Sequence, residues 1–270
     1  MKKQDLIKLA ILSGLILIAY IPTITWIYQR ASTRDTYYSH AFLIPLISIF
    51  LVWLKRHKLG TIEIKPVGFG WVLFLSGLLI HILCTAFRVS FVSGFSIIIV
   101  LTGLVLLLFG KGYLRQLMFP ILFLIFMVPL PMVAIANLSF RLKIFAAQIS
   151  TFVINRLGVP AIREGSVIKT MHAYIMVEDP CSGIRSLVAL IALGALMAYF
   201  SNISKVRKGV LFATSIPIAI STNVIRIISL VMVGEIYGQQ YASGVFHDTM
   251  GILVFVFAFA GLTLVGKILE

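Results

Sequence analysis

The sequence predicts an all-α integral membrane protein of about eight transmembrane helices, and three observations carry that expectation. Hydrophobic residues make up 60% of the 270 and charged residues only 12%, a balance outside the range of ordinary water-soluble domains. Apolar runs near the ~20 residues needed to cross ~30 Å of hydrocarbon recur along the whole chain. Between them the basic residues gather in short clusters, as they do in membrane loops. The chain therefore reads as a single polytopic domain over 1–270.

The first apolar run follows Met1-Lys2-Lys3 as in a signal peptide, but it continues to about Tyr28 without a small-x-small cleavage pattern. A retained first helix over 6–28 is expected, followed by spans over 37–54, 67–87, 89–109 and 115–135. Residues 136–180 form an extracytoplasmic insertion in this reading. Its first part, about 138–157, sets Leu138, Leu142, Phe145, Ile149 and Phe152 at helical spacing among Arg141, Gln148 and Asn155, which predicts a small amphipathic helix in the headgroup plane. Alternation over 161–178 with Glu164-Gly165 predicts a hairpin-like segment. Three further spans are expected over 181–200, 209–233 and 247–268.

Charge placement orients the chain. With the N-terminus in the cytoplasm, 13 basic residues fall in inner loops and 8 in outer ones, while six of the nine acidic residues fall outside. Positive-inside bias thus predicts both termini in the cytoplasm of a multi-pass cell-membrane protein. The net charge of +14 reports topology, since no nucleic-acid-binding pattern accompanies it and no nucleic-acid partner is expected. Cys84 and Cys181 suit neither a disulfide scaffold nor a zinc site, and no metal or cofactor is called for.

Chemistry concentrates at Pro180-Cys181-Ser182-Gly183-Ile184-Arg185-Ser186. Proline suits a helix start, and Cys181 at a helix N-terminus gains the positive end of the dipole and the backbone N–H groups of Ser182 and Gly183. Lipid desolvation opposes ionisation of the thiol, so a nearby cation is needed. Arg185, four residues on, and Arg226, three residues after Asn223 in the seventh span, supply candidates. An arginine within a span costs several kcal/mol without water or a partner; a packing ion pair with Glu178, Asp179 or Glu235 is the structural alternative for Arg226. His247-Asp248 opens the eighth span on the same membrane face as Cys181, where an imidazole could remove the thiol proton and return it to a leaving amine. Cys181 as a small buried hydrophobe and His247 as a headgroup-facing residue capped by Asp248 are the bland alternatives. A rival set, His81, Cys84 and Arg88, shares one helix face, but Cys84 lies at the negative end of its helix.

With Cys181 in Cys-Ser-Gly-Ile-Arg-Ser, Arg226 in Asn-Val-Ile-Arg-Ile and His247 ahead of an apolar helix, the chain resembles the exosortase/archaeosortase family. The resemblance implies a membrane-embedded cysteine protease or transpeptidase that processes exported proteins bearing a C-terminal sorting signal: a short recognition motif, a transmembrane helix and a basic tail. It matches Cys181 to the nucleophile, Arg226 to the essential arginine and His247 to the essential histidine. Ser182, Gly183, Arg185, Asn223 and Asp248 stand as supporting or substrate-binding residues. The partners so implied are a membrane-anchored protein substrate, the lipid bilayer, and an amine or lipid acceptor in place of water.

Other classes remain distinguishable by experiment. An anion-binding transporter using Arg185 and Arg226 predicts flux that survives Cys181→Ser, although the chain lacks paired Gly/Pro-broken spans in two related halves. A non-catalytic component of envelope or exopolysaccharide assembly predicts indifference to all three substitutions. An acyl- or lipid transferase shares the thioester and differs in what becomes attached to Cys181.

Overall fold

A computed structural model of the chain describes residues 3–33, 37–177, 183–242 and 245–270. The fold is nearly all helix: α1 (Lys3–Ala19), α2 (Ile21–Ser32), α3 (Leu43–Leu54), α4 (Arg56–Gly60), α5 (Gly70–Ala86), α6 (Ser90–Leu108), α7 (Lys111–Phe123), α8 (Met132–Arg156), α9 (Ile184–Phe200), α10 (Lys205–Tyr237) and α11 (Val245–Leu269). One small sheet interrupts it, with strands β1 (Ile162–Glu164), β2 (Val167–Lys169) and β3 (Tyr174–Met176). Among the described residues four helices are long and apolar enough to cross a membrane, α6, α8, α10 and 249–269 of α11. The pair α1–α2, bent by 59°, makes a fifth if counted as one span, and Ser39–Leu54, α5 and α9 are shorter apolar helices. The chain is a multi-pass membrane protein, divided into two compact units, Met1–Leu130 and Pro131–Glu270.

In the first unit α5 and α6 pack at backbone contact. A Cβ on Gly70 would fall 2.6 Å from Leu107 N, so only glycine permits that approach, as is common where helices must associate without a hydrophobic drive. Pro22 cannot donate to the preceding turn, and the first helix breaks there into α1 and α2. His81 reaches into the break: Nε2 donates to Ala19 O at 2.9 Å while Nδ1 meets Ser93 Oγ at 2.7 Å, and its ring stacks on Tyr20 at 3.9 Å. Tyr20 pairs in turn with Ser96, and Thr23 with Ser93. Replacing His81 by phenylalanine keeps the stack but strands the Ala19 carbonyl, while Ser93 keeps Thr23 as a partner. A loss of about 1–3 kcal/mol is expected for the stranded group, read as a lower unfolding temperature in detergent.

The sequence reading placed one span over 115–135 and a small helix in the headgroup plane from about 138; the observed boundaries differ, and the second helix, α8, is long and apolar enough to cross a membrane. Helix α7 ends at Phe123, a 3₁₀ turn covers Leu124–Met127, and a 25-residue helix begins at Met132. Pro129 and Pro131 are the cause: each lacks an N–H and keeps the preceding residue out of the helical region, while Pro131 supplies the extended N-cap of α8.

In the second unit α10 is the spine. Its 33 residues extend about 50 Å, more than the ~30 Å of a hydrocarbon core. Helix α9 runs antiparallel to it, with Gly183 at Asn223 and Gly194 at Ser215. Helix α11 does the same, with Gly251 at Arg226, Gly261 at Ile218 and Gly266 at Leu211. Leu187, Leu190, Leu211, Ala219, Ala258 and Leu262 form the core of this three-helix part. Beyond Asn223 the far end of α10 carries a second core, in which Val224, Ile227 and Val231 meet Ala146, Ala147 and Ile154 of α8 and Ile168 and Val177 of the sheet segment.

The hairpin expected at Glu164-Gly165 is present, with Gly165 in the left-handed region at φ +62° and Glu164 opposite Val167. A third antiparallel strand follows in the order β1-β2-β3. Asn155 ties the sheet to the end of α8, its amide donating to Ala161 O and accepting from Ala161 N, both at 2.9 Å. Glu235 ties it to α10, accepting from His172 N at 2.9 Å and pairing with His172 Nδ1 at 3.1 Å. Glu235→Ala is expected to loosen the β2–β3 turn and speed its cleavage by added protease several-fold, with little change in the helices.

Candidate functional site

The site is built where the two cores of the second unit meet, at Asn223 and Arg226 of α10. These residues stand three apart and so share one face of the helix. Asn223 is 3% exposed, and Arg226 is half-buried.

Asn223 faces the mouth of α9. Gly183 caps that helix in the left-handed region at φ +78°, ψ −2°, and a Cβ there would lie 2.9 Å from both Cγ and Nδ2 of Asn223. Backbone conformation and available space thus both require glycine. The Gly183 carbonyl accepts the first helical bond from Leu187 N at 2.8 Å and a second from Ser186 Oγ at 2.9 Å. Leu142, Ala146 and Leu187 close a narrow recess beside Gly183 and Asn223.

Arg226 faces the start of α11. A Cβ on Gly251 would lie 3.5 Å from Arg226 Nη2 and 3.8 Å from Cζ, so the guanidinium passes over a position with no side chain. His247 is four residues before Gly251, one turn nearer the helix start and on the same face. His247 and Asp248 therefore occupy the first turn of α11. Cys181 and Ser182 lie outside the described residues; Cys181 stands two residues before Gly183 in the chain.

Arg185 lies in the first turn of α9, where a cation is opposed by the helix dipole. Its Nε is buried and has no hydrogen-bond partner among the described residues. The starts of α9 and α11 and two guanidinium groups contribute a positive field at one end of the three-helix part, where the first turn of α11 also carries Asp248. Such a field favours a thiolate, an oxyanion or a bound anion.

The alternatives raised by the sequence separate on geometry. Glu235 is engaged with His172 instead of pairing with Arg226, which removes one of the three ion pairs that would make Arg226 a packing residue. Glu178 and Asp179 lie outside the described residues. In the rival set, both ring nitrogens of His81 are spent on Ser93 and Ala19, so it cannot serve Cys84 as a base. His40 sits in the 3₁₀ turn Ser39–Phe42 of the first unit, its ring nitrogens buried.

A contact that the sequence did not single out is Gly251 against Arg226. The signal was available as a residue without a side chain one turn after His247, which leaves room for a guanidinium to cross the helix.

A nearly all-helical, multi-pass membrane protein with half-buried arginine and glycine contacts at converging helix ends is the class that fold and site define. The chain belongs to the transmembrane exosortase family, whose model matches residues 26–264. No curated protein and no solved structure matches it.

Proposed function

We propose that this exosortase is a cysteine protease or transpeptidase that cleaves the C-terminal sorting signals of exported proteins at the extracytoplasmic face of the cell membrane. The observation that carries this reading is the convergence at Asn223 and Arg226: one touches Gly183, two residues after Cys181, and the other touches Gly251, one turn after His247. Cys181, Arg226 and His247 are taken as the thiol, guanidinium and imidazole of the site, and these two contacts between segments distant in sequence support that assignment. In this reading the chain crosses the membrane eight times with both termini cytoplasmic.

The chemistry balances as acyl transfer. His247 takes the thiol proton, and Cys181 sulfur attacks the scissile carbonyl carbon. The carbonyl π electrons move to oxygen, where Arg226 stabilises the negative charge, assisted by Arg185 and the Ser182-Gly183 backbone. Collapse breaks the C–N bond, His247 protonates the leaving amine, and a thioester remains on Cys181. Water, an amine or a lipid headgroup then attacks that thioester and restores the thiol. Asn223 positions the Gly183 turn and Asp248 orients His247.

Coexpression with a tailed substrate tests the proposal: Cys181→Ala is expected to abolish processing with the chain still in the membrane, and unchanged processing would refute it. An anion transporter fits the positive field equally well, but gives no role to the cysteine two residues before Gly183.

A further inference from the structure

We infer that the open edge of β3 is the docking strand for the substrate, pairing by main-chain hydrogen bonds with the extended segment that precedes the substrate's apolar helix. The inference rests on the proposed cleavage of tailed membrane proteins and adds where and how they are held.

Strand β3 lies at the edge of the sheet, paired with β2 alone. In an antiparallel pair the ladder bonds are exchanged by alternate residues, and the residues between them turn their N–H and C=O groups the other way. Thr170 N donates to Ala173 O and Val177 N to Ser166 O, which assigns Ala173, Ile175 and Val177 to the β2 ladder. Tyr174 and Met176 accordingly present their N–H and C=O groups to the open edge, where no described residue bonds them. Both side chains are exposed, 45% for Tyr174 and 49% for Met176. An exposed edge of this kind is a template for an added strand.

Position selects the occupant. Ala173 packs at Gly234, and Val177 packs in the cluster with Val224 and Ile227. The strand therefore descends α10 from its far end toward Asn223 and Arg226, and Cys181 follows Met176 by five residues. A peptide laid along β3 runs toward Asn223 and Arg226. The substrate chain must also pass from the extracytoplasmic side into the membrane, so it runs in the same direction as β3 and pairs in parallel. Main-chain bonding recognises an extended, proline-free backbone whatever its sequence, while the exposed Tyr174 and Met176 on one face grade the side chains and Ile175 on the other packs into the core.

The test uses the full chain in membranes, coexpressed with a reporter ending in an extended segment, an apolar helix and a basic tail from a protein of the same genome. Tyr174→Pro and Met176→Pro remove edge-facing N–H groups and no β2 bond, as proline is tolerated at an edge. Each is expected to slow reporter processing about tenfold or more, whereas Tyr174→Ala and Met176→Ala, which keep the N–H, stay within about twofold. A photo-crosslinking residue at position 174 of the Cys181→Ala protein is expected to capture the reporter, and one at position 162 on β1 is not. Normal processing by both proline variants, or equal capture at 162 and 174, overturns the docking strand. If the proline variants and the alanine controls fail together, capture at 174 decides, and its absence overturns the inference. Processing that survives Cys181→Ala instead overturns the proposed protease, so the two failures are told apart.

Discussion

Replacing Arg226 by alanine is expected to lower substrate processing by about 10²–10³-fold, the range seen when one donor to a developing oxyanion is removed. The chain should remain folded, because the guanidinium passes over the bare face at Gly251 and fills no part of either core. Retained elution of the detergent-solubilised protein checks this. Arg226→Lys should recover only part of the rate: it restores a cation but not the planar fork of donors. If Arg226 served packing alone, lysine and alanine would change stability and leave the rate per folded molecule near that of the parent.

Gly183→Ala is expected to have a comparable effect by a different route. An alanine held at φ +78° costs about 1–2 kcal/mol for the left-handed conformation. Its Cβ, 2.9 Å from Asn223, adds an overpacking cost of about 1–3 kcal/mol unless the mouth of α9 shifts. A shift of the first turn displaces the residues just before it, including Cys181, and about 1 Å of misplacement is enough for a 10²-fold loss. Gly158→Ala is the control. Gly158 also has a positive φ, +89°, but a Cβ there meets nothing within 4 Å. It should show the conformational cost as a modest drop in stability and process substrate normally.

Some of this architecture was written locally in the residues and some was not. Composition and the spacing of basic clusters sufficed for a helical membrane protein, because lipid leaves few other ways to satisfy a backbone. Glu164-Gly165 sufficed for the hairpin, since the turn needs a left-handed residue at that point. The break at 124–131 was missed because a hydropathy run measures apolarity and passes over Pro129 and Pro131. The length of α10 was underestimated for a related reason. The expected span of 209–233 measures what lipid can cover, whereas the helix continues to Tyr237, where α8 and the sheet replace lipid as its packing partners. Cys181, Arg226 and His247 could be nominated from residue type and helix position. What could not be read was the tertiary register, Gly183 on Asn223 and Gly251 on Arg226, because it depends on how three helices slide along one another. The engagement of Glu235 with His172 was hidden likewise, since these partners are 63 residues apart.

The central claim is that Cys181 carries the acyl group of a cleaved membrane protein, and mass spectrometry of the Cys181 peptide tests it most directly. The protein is incubated in membranes with the tailed reporter, quenched in acid and digested. The account predicts a Cys181 peptide heavier by the reporter's new C-terminal fragment, released by hydroxylamine as a thioester should be. It predicts no such adduct in Arg226→Ala or His247→Ala protein quenched at the same time. Turnover of the reporter with Cys181 unmodified at every quench time, or the same adduct found on Cys84, would contradict it.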